Sequence, residues 1–282
     1  MPSATGNKER SERNAVFGDR GPTPSQAAAD IGSDIPVERV PLPSKGLVYP
    51  EGSPLHLAEA VDIRAMTARE EDILTSRALI KRGTVITELI RSCLVDKSID
   101  VGSMLSGDRN AVMVALRITG YGSGYSVGVD CPACSEHGKH EFDLGQLEIK
   151  PLGLQPAEPG ANAFDLKLPM SGKLVRFKFL TGADEEEVLR QAEAKRKAGM
   201  QVDNLVTSRL QFHLVAVDGK SDRGEIIKFI RSMPARDSLT LRKHIAQHEP
   251  GIDMKASIDC QACGARSEVQ MPLGASFFWP EA

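Results

Sequence analysis

Four of the five cysteines come as two Cys-x-x-Cys pairs, Cys131-Pro132-Ala133-Cys134 and Cys260-Gln261-Ala262-Cys263. Two thiols at this spacing on a tight turn point the same way, and a tetrahedral zinc with Zn–S near ~2.3 Å accepts two such halves. A β-patterned run enters each pair (127–130 and 256–259) and another leaves it, which is the pattern of a hairpin knuckle, half of a zinc ribbon. Gly264 supplies permissive backbone after the second pair. Ordinary ribbons have their knuckles roughly 15–20 residues apart, whereas Cys260 follows Cys134 by 126 positions. One shared site of Cys131, Cys134, Cys260 and Cys263 therefore requires distant parts of the chain to meet. A rival set is local: Cys131, Cys134, His137 and His140. The second pair has no matching histidines, so these two read as loop residues. Thioredoxin-type redox chemistry needs a pair at a helix N-terminus, and both pairs lie between strand patterns. Cys93, among Leu89, Ile90 and Leu94, reads as a packing residue.

The elements that must position these pairs follow one motif order twice. Val61-Asp62-Ile63-Arg64-Ala65-Met66 alternates like a strand and leads into Thr67-x-x-Glu70, a capping box, with Glu71 and Asp72 behind it. Leu174-Val175-Arg176-Phe177-Lys178-Phe179-Leu180 leads likewise into Thr181-x-x-Asp184, followed by Glu185, Glu186 and Glu187. These acidic clusters read as helix N-terminal electrostatics, not catalysis. A second helix over 86–95 answers to 206–215. A third follows the polar turns Asp108-Arg109-Asn110 and Ala235-Arg236-Asp237, where capping explains the aspartates. The spacing between counterparts rises steadily along the chain, as insertions into a second copy produce, one of them near 194–199. The expected fold is α+β: two diverged copies of a strand–helices–β-hairpin module related by a pseudo-twofold, with zinc-ribbon-like Cys-x-x-Cys hairpins brought onto one zinc. The expected boundaries are a flexible arm over 1–38, an extended Pro-rich strap over 39–54, copy one over 55–150, a linker over 151–172 and copy two over 173–282.

The arm offers too little apolar surface to offset the entropy of ordering it. In the strap, prolines exclude a helix and Leu42, Leu47, Val48 and Tyr49 can anchor it, either as a linker or as a docking segment. The net charge of −3 and pI near 6.1 draw the chain to neither nucleic acid nor anionic lipid. No stretch approaches the roughly 20 apolar residues of a membrane span. The N-terminus lacks the apolar middle of a signal peptide, which implies a reducing cytoplasm where paired cysteines are metal ligands or redox centres. Gly120-Tyr121-Gly122-Ser123-Gly124 lacks the Lys-Ser/Thr of a phosphate loop and reads as a hinge between helix and strand. His213, His244 and His248 lie on amphipathic patterns as surface or packing residues. Phe277-Phe278-Trp279-Pro280 holds the single Trp and reads as closing the core, with a partner contact as the alternative.

Several of these segments resemble the T-even phage baseplate hub protein family. They are Leu42-Pro43-Ser44-Lys45-Gly46 with Tyr49-Pro50, Met66-Thr67-Ala68-Arg69-Glu70-Glu71-Asp72, Gly107-Asp108-Arg109, Met233-Pro234-Ala235-Arg236-Asp237-Ser238, both Cys-x-x-Cys hairpins and the closing Phe277-Phe278-Trp279-Pro280. The resemblance covers most of the chain from about Pro41. It implies a non-enzymatic component of a contractile phage tail baseplate, with other baseplate and tail proteins as partners, located in the virion tail and assembled in the host cytoplasm. A transient assembly chaperone is the alternative within that family. A zinc-ribbon nucleic-acid adaptor is the alternative outside it, and only Lys139 and Arg266 flank the hairpins to serve it.

Overall fold

The computed structural model describes residues 35–197, 199, 205–271, 273 and 275–278. Expectations for the arm before residue 35 and for Trp279 and Pro280 lie outside the described residues. The stretch Val37–Ala282 forms one unit, apart from Met1–Pro36.

Alternation builds the first hairpin. In β1 (Val37–Pro41) and β2 (Ala60–Arg64) the antiparallel register sets Val40 opposite Val61 and Arg39 opposite Asp62, with Val40, Val61 and Ile63 buried. The connection between the strands is not the extended strap that its prolines predict. It folds back through successive turns, with Lys45 and Gly46 at φ +50° and +70°. Leu42, Val48 and Tyr49 are buried by this fold and Leu47 partly so. Residues 37 and 38, expected at the end of the arm, begin β1.

Three short helices follow: α1 (Ala68–Thr75), α2 (Arg77–Arg82) and α3 (Val85–Cys93). The Thr67/Glu70 capping box starts α1. Helix α3 buries Leu89, Ile90 and Cys93, and beyond it Leu94 bridges Ile63 as a third strand position beside β2. Helix α4 (Ser106–Tyr121) is the centre of the fold. It buries Gly107, Asp108, Arg109, Ala111, Val112, Met113, Val114, Leu116 and Arg117, hence both its faces. Gly122, at φ +83°, stops it, so this glycine run is the hinge its composition predicts. Asp108 was expected in a polar turn before the helix; it sits instead inside the first turn, because α4 starts two residues earlier. The first cysteine hairpin, β3 (Gly124–Asp130) with β4 (His137–Asp143), comes next, then a 3-10 turn (Leu144–Gln146) and β5 (Ile149–Lys150).

From residue 164 strands, helices and a cysteine hairpin again follow one another. β6 (Phe164–Lys167), β7 (Leu174–Phe177) and β8 (Leu214–Val217) form a three-stranded antiparallel sheet. Between β7 and β8 lie α5 (Gly182–Lys197) and α6 (Leu205–His213). The helix expected over 206–215 therefore ends at His213, where Leu214, Ala216 and the β-branched Val217 pair with β7. Then follow α7 (Arg223–Ser232), α8 (Ala235–His248), β9 (Gly251–Ile252) and the second cysteine hairpin, β10 (Lys255–Asp259) with β11 (Arg266–Gln270). A 3-10 turn, Ala275–Phe278, ends the described chain and buries Phe277 and Phe278, as core closure predicts.

One main core joins both stretches, from Val40 and Leu42 to Phe277 and Phe278. Phe164, Phe177 and Phe179 stack with ring centroids 4.8–5.9 Å apart, each buried ring contributing about 1.5–3 kcal/mol. Backbone bonds sew the stretches together: Ser106 N–H to Leu180 O at 2.9 Å, Gly182 N–H to Met104 O at 2.9 Å, and the β5–β9 pairing. At two glycines α4 comes into direct contact with the second stretch. A Cβ on Gly107 would overlap the Pro250 carbonyl, and one on Gly182 would overlap the Arg109 guanidinium. The Pro250 obstacle is backbone and cannot rotate away. Gly107→Ala should therefore destabilise the chain by about 1–3 kcal/mol, the usual cost of overpacking. Gly52→Ala, with no atom within 4 Å of the added Cβ, should leave the thermal unfolding midpoint unchanged.

Candidate metal centre

The two hairpin tips are built alike. In the first, Cys131 N–H donates to Glu136 O at 2.9 Å and Ser135 N–H to Cys131 O at 2.8 Å. In the second, Cys260 N–H donates to Ala265 O at 3.0 Å and Gly264 N–H to Cys260 O at 2.8 Å. Each turn is closed by a residue with positive φ after the second cysteine, Ser135 at +61° and Gly264 at +71°. Glycine takes that conformation freely and serine at a cost, so the same backbone shape is held in both tips.

The tips meet. Cys131 Sγ lies 3.9 Å from Cys263 Sγ, and Cys134 Sγ lies 3.7 Å from Cys260 Sγ. All four sulfurs lie within 4.8 Å of one another. A tetrahedral ion with metal–sulfur bonds of ~2.3 Å would have S···S edges of about 3.8 Å. None of the four forms a disulfide. Backbone N–H groups of Cys134 and Ala133 reach the Cys131 sulfur and lower its pKa to about 7. Cys134 receives the Glu136 N–H, which lowers its pKa. The adjacent thiol of Cys263, desolvation and the other two thiols together outweigh that donor and push it up to about 12. Four sulfurs this close cannot all ionise unless a cation sits among them. Their arrangement is compatible with a metal ion and not specific to one metal.

Beneath the thiols the hairpins share a small apolar cluster, Val129, Ile258 and Val269, with Val127 and Phe142 against it. It is separate from the main core and too small to fix two ribbons by itself, since two-stranded hairpins are marginal in water. His137 and His140 are not drawn into the four-sulfur group. His137 Nδ1 lies 2.7 Å from Asp130 Oδ1, and the His140 ring faces Phe142 with centroids 6.4 Å apart.

Other side chains, which sequence reasoning assigned to capping, hold the hairpins' supports in place. Asp108 is fully buried and accepts hydrogen bonds from Ser44 N–H (2.9 Å), Ser44 Oγ (2.6 Å) and Tyr49 Oη (2.6 Å). Asp237, at the same place in α8, accepts from Met170 N–H (2.7 Å) and Ser171 N–H (2.9 Å). Neither is an N-cap. Each ties the connection of a β-hairpin to the helix that runs toward a cysteine pair. Burial raises the pKa of Asp108 despite its donors. Burial also acts to raise Asp237, but there Ser171 and Met170 prevail and lower it. Glu70 and Asp184 form a second such pair. Glu70 takes Arg64 at 2.5 Å and Asp184 takes Lys178 at 2.7 Å, while Thr67 and Thr181 donate backbone N–H and hydroxyl to them. Desolvation works against the Glu70 carboxylate, but bonds from Arg64, Ser92 and Thr67 hold its pKa well below the usual range. The sequence signal for both pairs is present: an Asp at the third position of each helix, and a cation six residues before an acid. Only the fold shows that the two aspartates bind segments more than 60 residues away.

The fold and the thiols define a mixed helix-and-strand protein of small sheets, with two cysteine hairpins converging on one four-sulfur cluster. Compared with known families, residues 38–279 match the family described as T4 bacteriophage base plate protein. The chain belongs to that family, which implies a place at the phage tail among other tail proteins. No curated protein and no solved structure matches it. No helix among the described residues is long and apolar enough to cross a membrane.

Cys93 provides an internal reference for the four thiols. It is fully buried, and burial pushes its pKa up to about 12, with the Glu70 carboxylate adding to the rise. Iodoacetamide at pH 8 should leave Cys93 unmodified until the chain unfolds. Cys263, which is exposed, should react in the folded chain as soon as any bound metal is chelated. Peptide mass spectrometry reads both rates.

Proposed function

We propose that this protein is a non-enzymatic structural component of a contractile phage tail baseplate, in or beside the hub, clamped by one structural zinc on Cys131, Cys134, Cys260 and Cys263. The family match supports the baseplate part of this reading. The observation that carries the zinc part is the convergence of two hairpin tips of the same backbone shape at S···S separations of 3.7 and 3.9 Å. Thiolate-only donors favour zinc among the common divalent ions.

The chain is read as two diverged copies of one module, copy one over 55–150 and copy two over 173–282, joined by a linker over 151–172. Paired features support this: the Thr67/Glu70 and Thr181/Asp184 starts, the Arg64–Glu70 and Lys178–Asp184 bridges, the Asp108 and Asp237 anchors, and the two cysteine turns. On this reading the zinc ties copy to copy. Its loss acts on the whole chain.

Elemental analysis of the natively purified chain should find one zinc per chain; two, or none, would sink the shared site. Cys131→Ser and Cys260→Ser should each release the metal and lower the unfolding midpoint of the entire chain, not of one hairpin. Mass spectrometry of purified tails and of baseplate intermediates tests the rest. Presence in finished tails fits a structural subunit, presence in intermediates alone fits an assembly factor, and absence from both excludes the baseplate role.

A further inference from the structure

Helix α8 carries an outward face that no described part of the chain covers. Its buried residues, Asp237, Leu241 and Ile245, recur along one side. On the other side Arg236, Leu239, Arg242 and Lys243 are all exposed, at spacings that set them on one broad helical face. Leu239 is 44% exposed. Met170, whose backbone N–H is bound by Asp237 in the first turn of α8, is 65% exposed. None of the three cations is within ion-pair distance of a carboxylate among the described residues. The one acid on α8 is Asp237, buried and committed to the turn at 170–171. The face is therefore uniformly positive on a chain whose net charge is −3.

Helix α4 shows how the corresponding position looks when it is covered. Its Gly107 meets Pro250, its Arg109 meets Gly182, and its Arg117 donates to Phe277 O at 3.2 Å. All three neighbours come from the second stretch of the chain, and nine residues of α4 are buried against the three of α8. Counted from the start of each helix, Arg236, Arg242 and Lys243 stand where α4 has Gly107, Met113 and Val114, all three buried.

We propose that this face docks an acidic segment of another tail protein, with an apolar side chain against Leu239 and carboxylates against Arg236, Arg242 and Lys243. That the partner is a tail protein rests on the baseplate reading; the sign of its charge rests on the face alone. Exposed ion pairs individually contribute little. The apolar contact supplies the hold, and the cations select the partner and its register.

The test supplies variants of the full chain in trans to phage lacking their own copy. A photoreactive residue replaces Leu239 in one, and Arg242→Glu with Lys243→Glu in another. Crosslinks from position 239 should reach an acidic stretch of a second tail protein. The double reversal, folded with an unaltered unfolding midpoint, should lower plaque titre by about 100-fold, as reversing two interfacial charges does. Placing lysines in the crosslinked stretch should restore it. If the reversal disturbs folding, Arg242→Gln with Lys243→Gln makes the same comparison, with a smaller drop. Crosslinks confined to the chain itself or to nucleic acid, or a folded variant that plates like the unsubstituted chain, would overturn the proposal. Absence of the unsubstituted chain from tails and intermediates is a failure of the baseplate reading. Presence there without a crosslink from 239 to another protein is a failure of this one.

Discussion

A carboxylate at the centre of a protein must be given donors, and at Asp108 the chain bends a whole segment to provide them. Leaving such a group unpaired costs several kcal/mol. Ser44 reaches it only because residues 42–59 turn back on themselves, and Tyr49 reaches it only because Val48 and its neighbours are buried beside α4. Tyr49 in turn accepts the Leu105 N–H at 2.9 Å, one of the donors that a helix start leaves without a partner. One side chain thus sets the path of the β1–β2 connection, the start of α4 and the orientation of the helix that feeds the first cysteine hairpin. Asp237 does the same, through Met170 and Ser171, for the β6–β7 turn and α8.

The hairpins are attached to that frame by their outer ends, and their tips lean on one another. Each is a two-stranded ribbon with alternating exposure and little apolar surface, so neither would persist as a free unit. What they share is a few aliphatic side chains and four sulfurs. The division is physical: hydrophobic burial fixes the main body, while at the tips the apolar area is too small to hold two ribbons by itself. Mirrored turns, with Ser135 accepting a backbone angle that Gly264 takes without strain, show that tip geometry is held even where the side chain opposes it.

Much of this was legible in the residues. The cysteine spacing, the alternation of β2 and β7 and the capping threonines are local patterns, and local patterns survive reading one residue at a time. What stayed hidden was long-range. Asp108 looks like any helix-start aspartate until Ser44 and Tyr49 are brought to it, and Pro41-Leu42-Pro43 reads as extended until Lys45 and Gly46 reverse it. Leu214 continues a helical pattern, and only the open edge of β7 turns it into a strand. The convergence of Cys131 with Cys263 was reached through the repeated motif order, since nothing in either tetrapeptide names its partner.

That convergence also sets a schedule. The first cysteine turn leaves the ribosome well before the second, Cys260 trailing Cys134 by 126 positions, or roughly 6–25 seconds at about 5–20 residues per second. For that interval the early tip is half of the four-sulfur cluster, on a ribbon that cannot yet stand. Its completion waits for contacts of large sequence separation, the slowest kind to form. The main core waits longer still, since Phe277 and Phe278, which it encloses together with Val40 and Leu42, follow the second cysteine turn out of the ribosome.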